Sequence, residues 1–162
     1  KIEQCSMLDG IWEDTMIEKL QAILDHKGPD VHKVAPETPV LKAVRTMNEQ
    51  HIGSLLVTRG DEIVGVFSER DVLCRVVDEE KDPASTTVGE VMTSTVVVVD
   101  PSMPVTDAMA LIAEKRCRHL PVIEDGTLKG LVSIGDLTRW VTRNQETHIQ
   151  NLVDYITGKY PG

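Results

Sequence analysis

One stretch of this chain is written twice. Val34, Pro36, Pro39, Val40 and Ala43 recur at Val99, Pro101, Pro104, Val105 and Ala108, an offset of 65 residues. Without a gap the match continues through Glu49/Glu114, Leu55/Leu120, Val57/Val122, Gly65/Gly130, Ser68/Ser133 and Asp71/Asp136. A register kept over that length, with the same residue chemistry, marks two copies of one structural unit. In 162 residues they make either one compact domain or two half-size units sharing a core.

Each copy reads as β-α-β-β-α, an α+β unit. A short β run (Val31 to Val34; Val96 to Val99, the latter read as a buried strand) meets a Pro-x-x-Pro segment that prevents helix. A helical stripe follows: Val40, Ala43, Val44 and Met47 in copy one; Val105, Ala108, Met109 and Ile112 in copy two. Two strands then flank a polar turn, Arg59 to Glu62 or Asp125-Gly126. Finally Ser-x-x-Asp opens a second helix in each copy. The expected organisation is an N-terminal helical extension over 1–28, repeat one over 29–80, repeat two over 88–143 and a C-terminal helical extension over 144–162. Asp78 to Thr87 form a polar linker. The apolar face of Trp12, Met16, Ile17, Leu20, Ile23 and Leu24, and that of Leu137, Trp140, Val141, His148, Leu152, Val153 and Ile156 ending near Gly158, need covering. A subunit interface is favoured over packing on their own domain.

The chemistry-bearing feature is Gly65-x-x-Ser68-x-Arg70-Asp71 with its echo Gly130-x-x-Ser133-x-x-Asp136. A lone Ser-x-x-Asp before an apolar run is commonly a helix N-cap. Here it occurs twice, each time after a strand, where free N–H groups and the helix dipole attract anions. The carboxylate suits vicinal ribose hydroxyls, and the Ser hydroxyl with Arg70 suits a phosphate. A second feature is the basic run Lys115-Arg116-Cys117-Arg118-His119. Arg116 reads as a solvated helix end, whereas Arg118 and His119 lead into the Leu-Pro-Val strand. Copy one has Gly53 and Ser54 at the positions of Arg118 and His119, so the two potential sites carry unequal charge.

The net charge of −9 and 3% aromatic content argue against nucleic-acid binding. No apolar run reaches the ~20 residues that span a bilayer. Cys5, Cys74 and Cys117 fit neither a disulfide frame nor a zinc site, and no metal site is expected. Free thiols fit a reducing, cytoplasm-like compartment best, with an organelle as the second setting. Because the chain starts at Lys1, the lack of a visible targeting peptide carries little weight. No phosphate loop, nucleophile elbow or H-E-x-x-H is present, so no catalysis is expected. Cys74 reads as core, and Cys117 as a packed small hydrophobe rather than an activated thiolate.

From Val31 to Arg143 the chain resembles a tandem pair of CBS domains, named for the regulatory region of cystathionine β-synthase. The two Gly-x-x-Ser-x-x-Asp motifs, the Arg118-His-Leu-Pro-Val122 strand and Val91-Met-Thr93 carry the resemblance, in order, over about two thirds of the chain. The linker and the tail Asp154 to Gly158 look like small stand-alone CBS-pair proteins.

The resemblance implies a Bateman module: two repeats packed with pseudo-two-fold symmetry and two adenosine-binding clefts between them. One cleft would use Ser68, Arg70 and Asp71, the other Ser133 and Asp136. Arg118 and His119 would reach phosphates. Backbone near His32 and Val97, with Ile52 and Cys117, would hold the adenine; Gly53 and Ser54 line the copy-one side. Ser replaces the family's commoner Thr at 68 and 133 but keeps a hydroxyl. The implied ligand is AMP, ATP or an NAD-type nucleotide, and the implied assembly is a homodimeric disc of four repeats read by a regulated protein. The rival is a ligand-free CBS-fold module that only dimerises and docks, with Ser-x-x-Asp merely capping helices.

Overall fold

A computed structural model describes residues 18–156, with side chains through 146. Two compact units emerge: residues 30–97, and a second unit built from the N-terminal segment through Pro29 together with Val98 onward. Their elements are α1 (Leu20–Lys27), β1 (Lys33–Val34), α2 (Val40–Gln50), β2 (Ser54–Arg59), β3 (Glu62–Ser68), α3 (Glu69–Val72), α4 (Val88–Val91), α5 (Val105–Lys115), β4 (His119–Glu124), β5 (Thr127–Ser133) and α6 (Ile134–Ile156). A π-helical turn, Leu73–Val77, continues α3.

In the 30–97 unit β1 runs parallel to β2, and β2 pairs antiparallel with β3. The core gathers Val40, Ala43 and Met47 of α2, Leu55 and Val57 of β2, Phe67 of β3 and Val76. Val88 and Val91 of α4 complete it. The start of sequence repeat two is therefore core of the first unit. The segment expected as a linker is docked as well: Val40 N–H donates to the Thr86 carbonyl (2.9 Å) and Leu41 N–H to that of Pro83 (2.8 Å).

The other unit mirrors this. Leu20, Ile23 and Leu24 of α1 are buried, alongside Val105, Ala108, Leu120, Val122, Val132 and Leu137. Val105 N–H donates to the Glu18 carbonyl at 2.8 Å, as Val40 does to Thr86. The face of α1 thus packs on its own unit, correcting the expectation of a subunit interface there. Burying three aliphatic side chains locally leaves α1 no comparable apolar stripe to offer elsewhere. Trp12, Met16 and Ile17 lie outside the described residues, as do Cys5 and the side chains of His148, Leu152, Val153 and Ile156.

The duplication reaches backbone detail. Each hairpin shifts register at the same place, after Val57 and after Val122. Each first helix ends on a non-glycine residue in the left-handed region, His51 (φ 54°) and Arg116 (φ 51°). Each strand-to-helix junction closes alike, with Glu69 N–H on the Gly53 carbonyl and Ile134 N–H on that of Arg118.

Two local expectations are corrected. Val96 to Val99 does not form a buried strand: only Val99 bridges, to Val122, while Val98 is exposed. β-branched residues favour strands, but a strand needs a partner edge, and here the edge accepts one residue. Cys74 is exposed rather than core. The π-helical turn alters the 3.6-residue phase on which that reading relied, and leaves Leu73 and Val77 exposed as well.

Candidate functional site

The two Ser-x-x-Asp motifs form the same junction in separate units. In the 30–97 unit, Ser68 ends β3 and caps α3, and Asp71 is its third residue. Ser68 N–H and Oγ both donate to Asp71 Oδ2, each at 2.8 Å. The other carboxylate oxygen accepts Thr93 Oγ1 at 3.1 Å and pairs with Arg75 Nη1 at 3.3 Å. Arg75 also donates to the carbonyls of Val91 (2.9 Å) and Met92 (2.6 Å). The buried Asp71 is thereby a strut between its own helix and the segment carrying α4.

At the second junction Ser133 N–H and Oγ donate to Asp136 Oδ2 at 2.9 and 2.8 Å. Lys27 Nζ reaches the same oxygen at 2.8 Å, and Arg139 Nη2 holds Oδ1 at 2.9 Å. Half-burial pushes the Asp136 carboxyl up, but hydrogen bonds from Lys27 and Ser133 and the Lys27 charge outweigh it and hold its pKa at about 2. Asp136 is ionised throughout the physiological range.

The motif glycines serve close approach. A Cβ on Gly65 would lie 2.5 Å from Met92 Sδ and 3.0 Å from the Thr93 carbonyl oxygen; one on Gly130 would lie 2.6 Å from Leu24 Cδ2. Each glycine lets the arriving segment, α4 or α1, sit against the strand.

The other expected site residues distribute as follows. Ser54 pairs in register with Ser68, and Gly53 lies beside the Glu69 carboxylate. The His32 carbonyl accepts Leu56 N–H at 3.0 Å, and Ile52 packs on the core. Arg70 and the His32 side chain are exposed, and Val97 is half-buried. In the other unit His119 pairs in register with Ser133, and the exposed Arg118 adjoins Ile134. Half-buried Cys117 has its thiol pushed up by burial, the opposite of an activated thiolate. Gly53 and Ser54 thus adjoin the Ser68 motif, and Arg118 and His119 the Ser133 motif, each within its own unit.

Sequence reading missed one group. A groove of about 260 Å³ lies between α1 and α6, lined by Ile23, His26 and Lys27 on one side and Asp136, Arg139, Trp140 and Arg143 on the other. The available signals were the basic last turn of α1 and the i, i+4 spacing of Arg139 and Arg143.

The sequence model of the CBS domain matches residues 23–78 and 88–143, both copies in order. The chain belongs to the CBS-domain family. CBS pairs are regulatory modules, often nucleotide-binding. A solved CBS-domain protein from Burkholderia ambifaria MC40-6 is 40% identical, with a TM-score of 0.76 over 79% of this chain and 96% of that one. A hexameric CBS-CP12 protein from bloom-forming cyanobacteria is 30% identical, with a TM-score of 0.68 over 76% of this chain and 71% of that one. The mitochondrial CBS domain-containing protein CBSX3 of Arabidopsis thaliana is 36% identical over 126 residues, 75% of this chain; the match spans 61% of that protein's length. One matching enzyme, the inosine-5′-monophosphate dehydrogenase of Thermoplasma acidophilum, is 28% identical over 109 residues, 67% of this chain, and matches over 21% of its own length. Among the described residues no helix is long and apolar enough to cross a membrane.

Proposed function

We propose that this CBS pair is a non-catalytic sensor for adenosine nucleotides of the AMP, ATP or NAD type. Twin carboxylates at strand-to-helix junctions, Asp71 and Asp136, are the observation that carries the reading. In it Asp71 and Asp136 accept ribose hydroxyls, Arg70, Arg118 and His119 meet phosphates, and Ser68 and Ser133 hold each carboxylate in place. Backbone at His32 and Val97, with Ile52, Gly53 and Ser54, offers adenine contacts in the 30–97 unit, and Cys117 offers one in the other unit. In each carboxylate Oδ2 is held by the cap, while Oδ1 is held partly by an arginine open to solvent. Oδ1 is the oxygen a ribose hydroxyl would claim. The ligand shifts a conformational population, and a regulated protein reads that shift. A homodimeric disc, in a cytoplasmic or organellar setting, completes the reading; Leu73 and Val77, each 63% exposed, give it an apolar contact.

A second reading is a ligand-free dimerisation and docking module. The capping box at each motif favours it, because each carboxylate already has partners within its own unit. Thermal shift with AMP, ATP, NAD and S-adenosylmethionine separates the two, since a ligand of the folded state raises its stability by linkage. Melting unchanged by all four would establish the docking reading. Asp71→Ala and Asp136→Ala abolishing a ligand-induced shift in folded protein would establish the sensor.

A further inference from the structure

The two strand-to-helix junctions share a backbone but not a charge. Glu69, the first residue of α3, donates its N–H to the Gly53 carbonyl at 3.1 Å; Ile134, the first residue of α6, donates to the Arg118 carbonyl at 3.0 Å. Gly53 immediately precedes β2 as Arg118 precedes β4, so the two pairs occupy equivalent places in their units. Their side chains are exchanged in character. In the 30–97 unit the bare Gly53 leaves room for the Glu69 carboxylate, whose Oε2 and Oε1 lie 3.4 and 3.8 Å from where a Cβ on residue 53 would stand. In the other unit that Cβ exists and carries the exposed Arg118 guanidinium, with uncharged Ile134 in the place of Glu69. The same corner presents a carboxylate in one copy and a guanidinium in the other.

We propose that Glu69 is a specificity-determining residue that sets the ligand charge accepted at the Asp71 motif, which takes AMP in preference to ATP, whereas the Asp136 motif does not disfavour ATP. The inference rests on the sensor reading and divides its ligand class between the two motifs. Discrimination between related ligands is commonly built from a repulsive element as well as attractive ones, and a like charge set against the unwanted ligand is such an element. Arg70 follows Glu69 directly, so a phosphate arriving at the Asp71 motif meets a cation with an acid beside it. A single phosphate is satisfied by Arg70; each further phosphoryl group brings more negative charge and more repulsion from Glu69. At the Asp136 motif the neighbour of Arg118 across the junction is Ile134, which exacts no such penalty. Glu69 is exposed, so solvent screens its charge and the effect is of order tenfold rather than thousandfold.

The test needs a separate readout at each motif, which backbone amide resonances of the full chain supply: Gly53 and Ser54 for one, Arg118 and Ile134 for the other. AMP and ATP are titrated separately in magnesium-free buffer, and a dissociation constant is read at each pair. At Gly53 and Ser54 AMP should bind more tightly than ATP; at Arg118 and Ile134 ATP should bind at least as tightly as AMP. Glu69→Gln should move the AMP-to-ATP preference at Gly53 and Ser54 about tenfold toward ATP. A merely structural role for Glu69 would change both affinities in proportion and leave that ratio alone, so a ratio unchanged within about twofold overturns the proposal. If Glu69→Gln fails to fold by circular dichroism, the reciprocal Ile134→Glu decides: ATP should weaken about tenfold against AMP at Arg118, and an unmoved ratio there refutes the argument. Resonances that move only at Arg118 and Ile134 overturn this inference while leaving a sensor at Asp136. Resonances that move at neither motif with either nucleotide, up to about 5 mM, overturn it and count against the sensor reading as well.

Discussion

Asp136→Asn removes one negative charge and little else, which makes it the sharpest probe of the second motif. The amide oxygen can still accept the Ser133 N–H, so the cap is weakened rather than deleted. The charge-assisted bonds from Lys27 and Arg139 are lost. With a folded pKa of about 2 against an unfolded value of about 3.9, the carboxylate stabilises the fold by roughly 2 kcal/mol at neutral pH. Because Lys27 and Arg139 are partly in solvent, about 1–2 kcal/mol is the working figure, a loss of roughly 2–8 °C in Tm. The folded pKa is depressed, so this stability is complete above the unfolded value and disappears as pH falls through the folded one. About half should be gone near pH 3. Urea unfolding of both proteins between pH 7 and 3 measures it. A stability gap that stays constant over that range would show that the carboxylate's charge contributes nothing, and would refute the argument.

Gly65→Ala should destabilise by about 1–3 kcal/mol and more than Gly130→Ala, because Gly65 meets backbone as well as Met92 while Gly130 meets only a Leu24 methyl; paired urea melts rank them. Arg75→Met removes two bonds to the carbonyls of Val91 and Met92, so hydrogen exchange at Val88 to Thr93 should quicken while α2 stays protected. In a Cys5→Ser background at pH 8, Cys74 should react with a disulfide reagent well before Cys117, whose thiol burial keeps protonated; equal rates would contradict the exposures. Leu73→Asp with Val77→Asp should lower the oligomeric state in sedimentation without unfolding the chain, as the homodimer reading requires.

The repeat, both hairpins and the capped Ser-x-x-Asp junctions were legible because each rests on local chemistry. Pro39 and Pro104 fix where helices begin, and Asp125-Gly126 fixes a turn. Less legible were features that depend on what a segment meets. Val96 to Val99 has strand propensity but finds an edge only at Val99. Leu20, Ile23 and Leu24 show an apolar face without showing its partner. Lys27 lies far in sequence from Asp136, and no spacing rule announces that pair. Cys74 was misplaced because one extra residue in a helical turn shifts phase, which composition does not record.

The reciprocal placement of α1 and α4 bears on how the chain is made. Residues 30–97 are continuous and can close as soon as they leave the ribosome. Leu20, Ile23 and Leu24, synthesised before that unit, belong with β5, and roughly a hundred further residues must follow before that strand exists. At about 5–20 residues per second, these three aliphatic side chains wait some 5–20 s for their partner. Leu20, Ile23 and Leu24 are thus covered only after that strand has emerged, and nascent-chain chaperones would meet them bare.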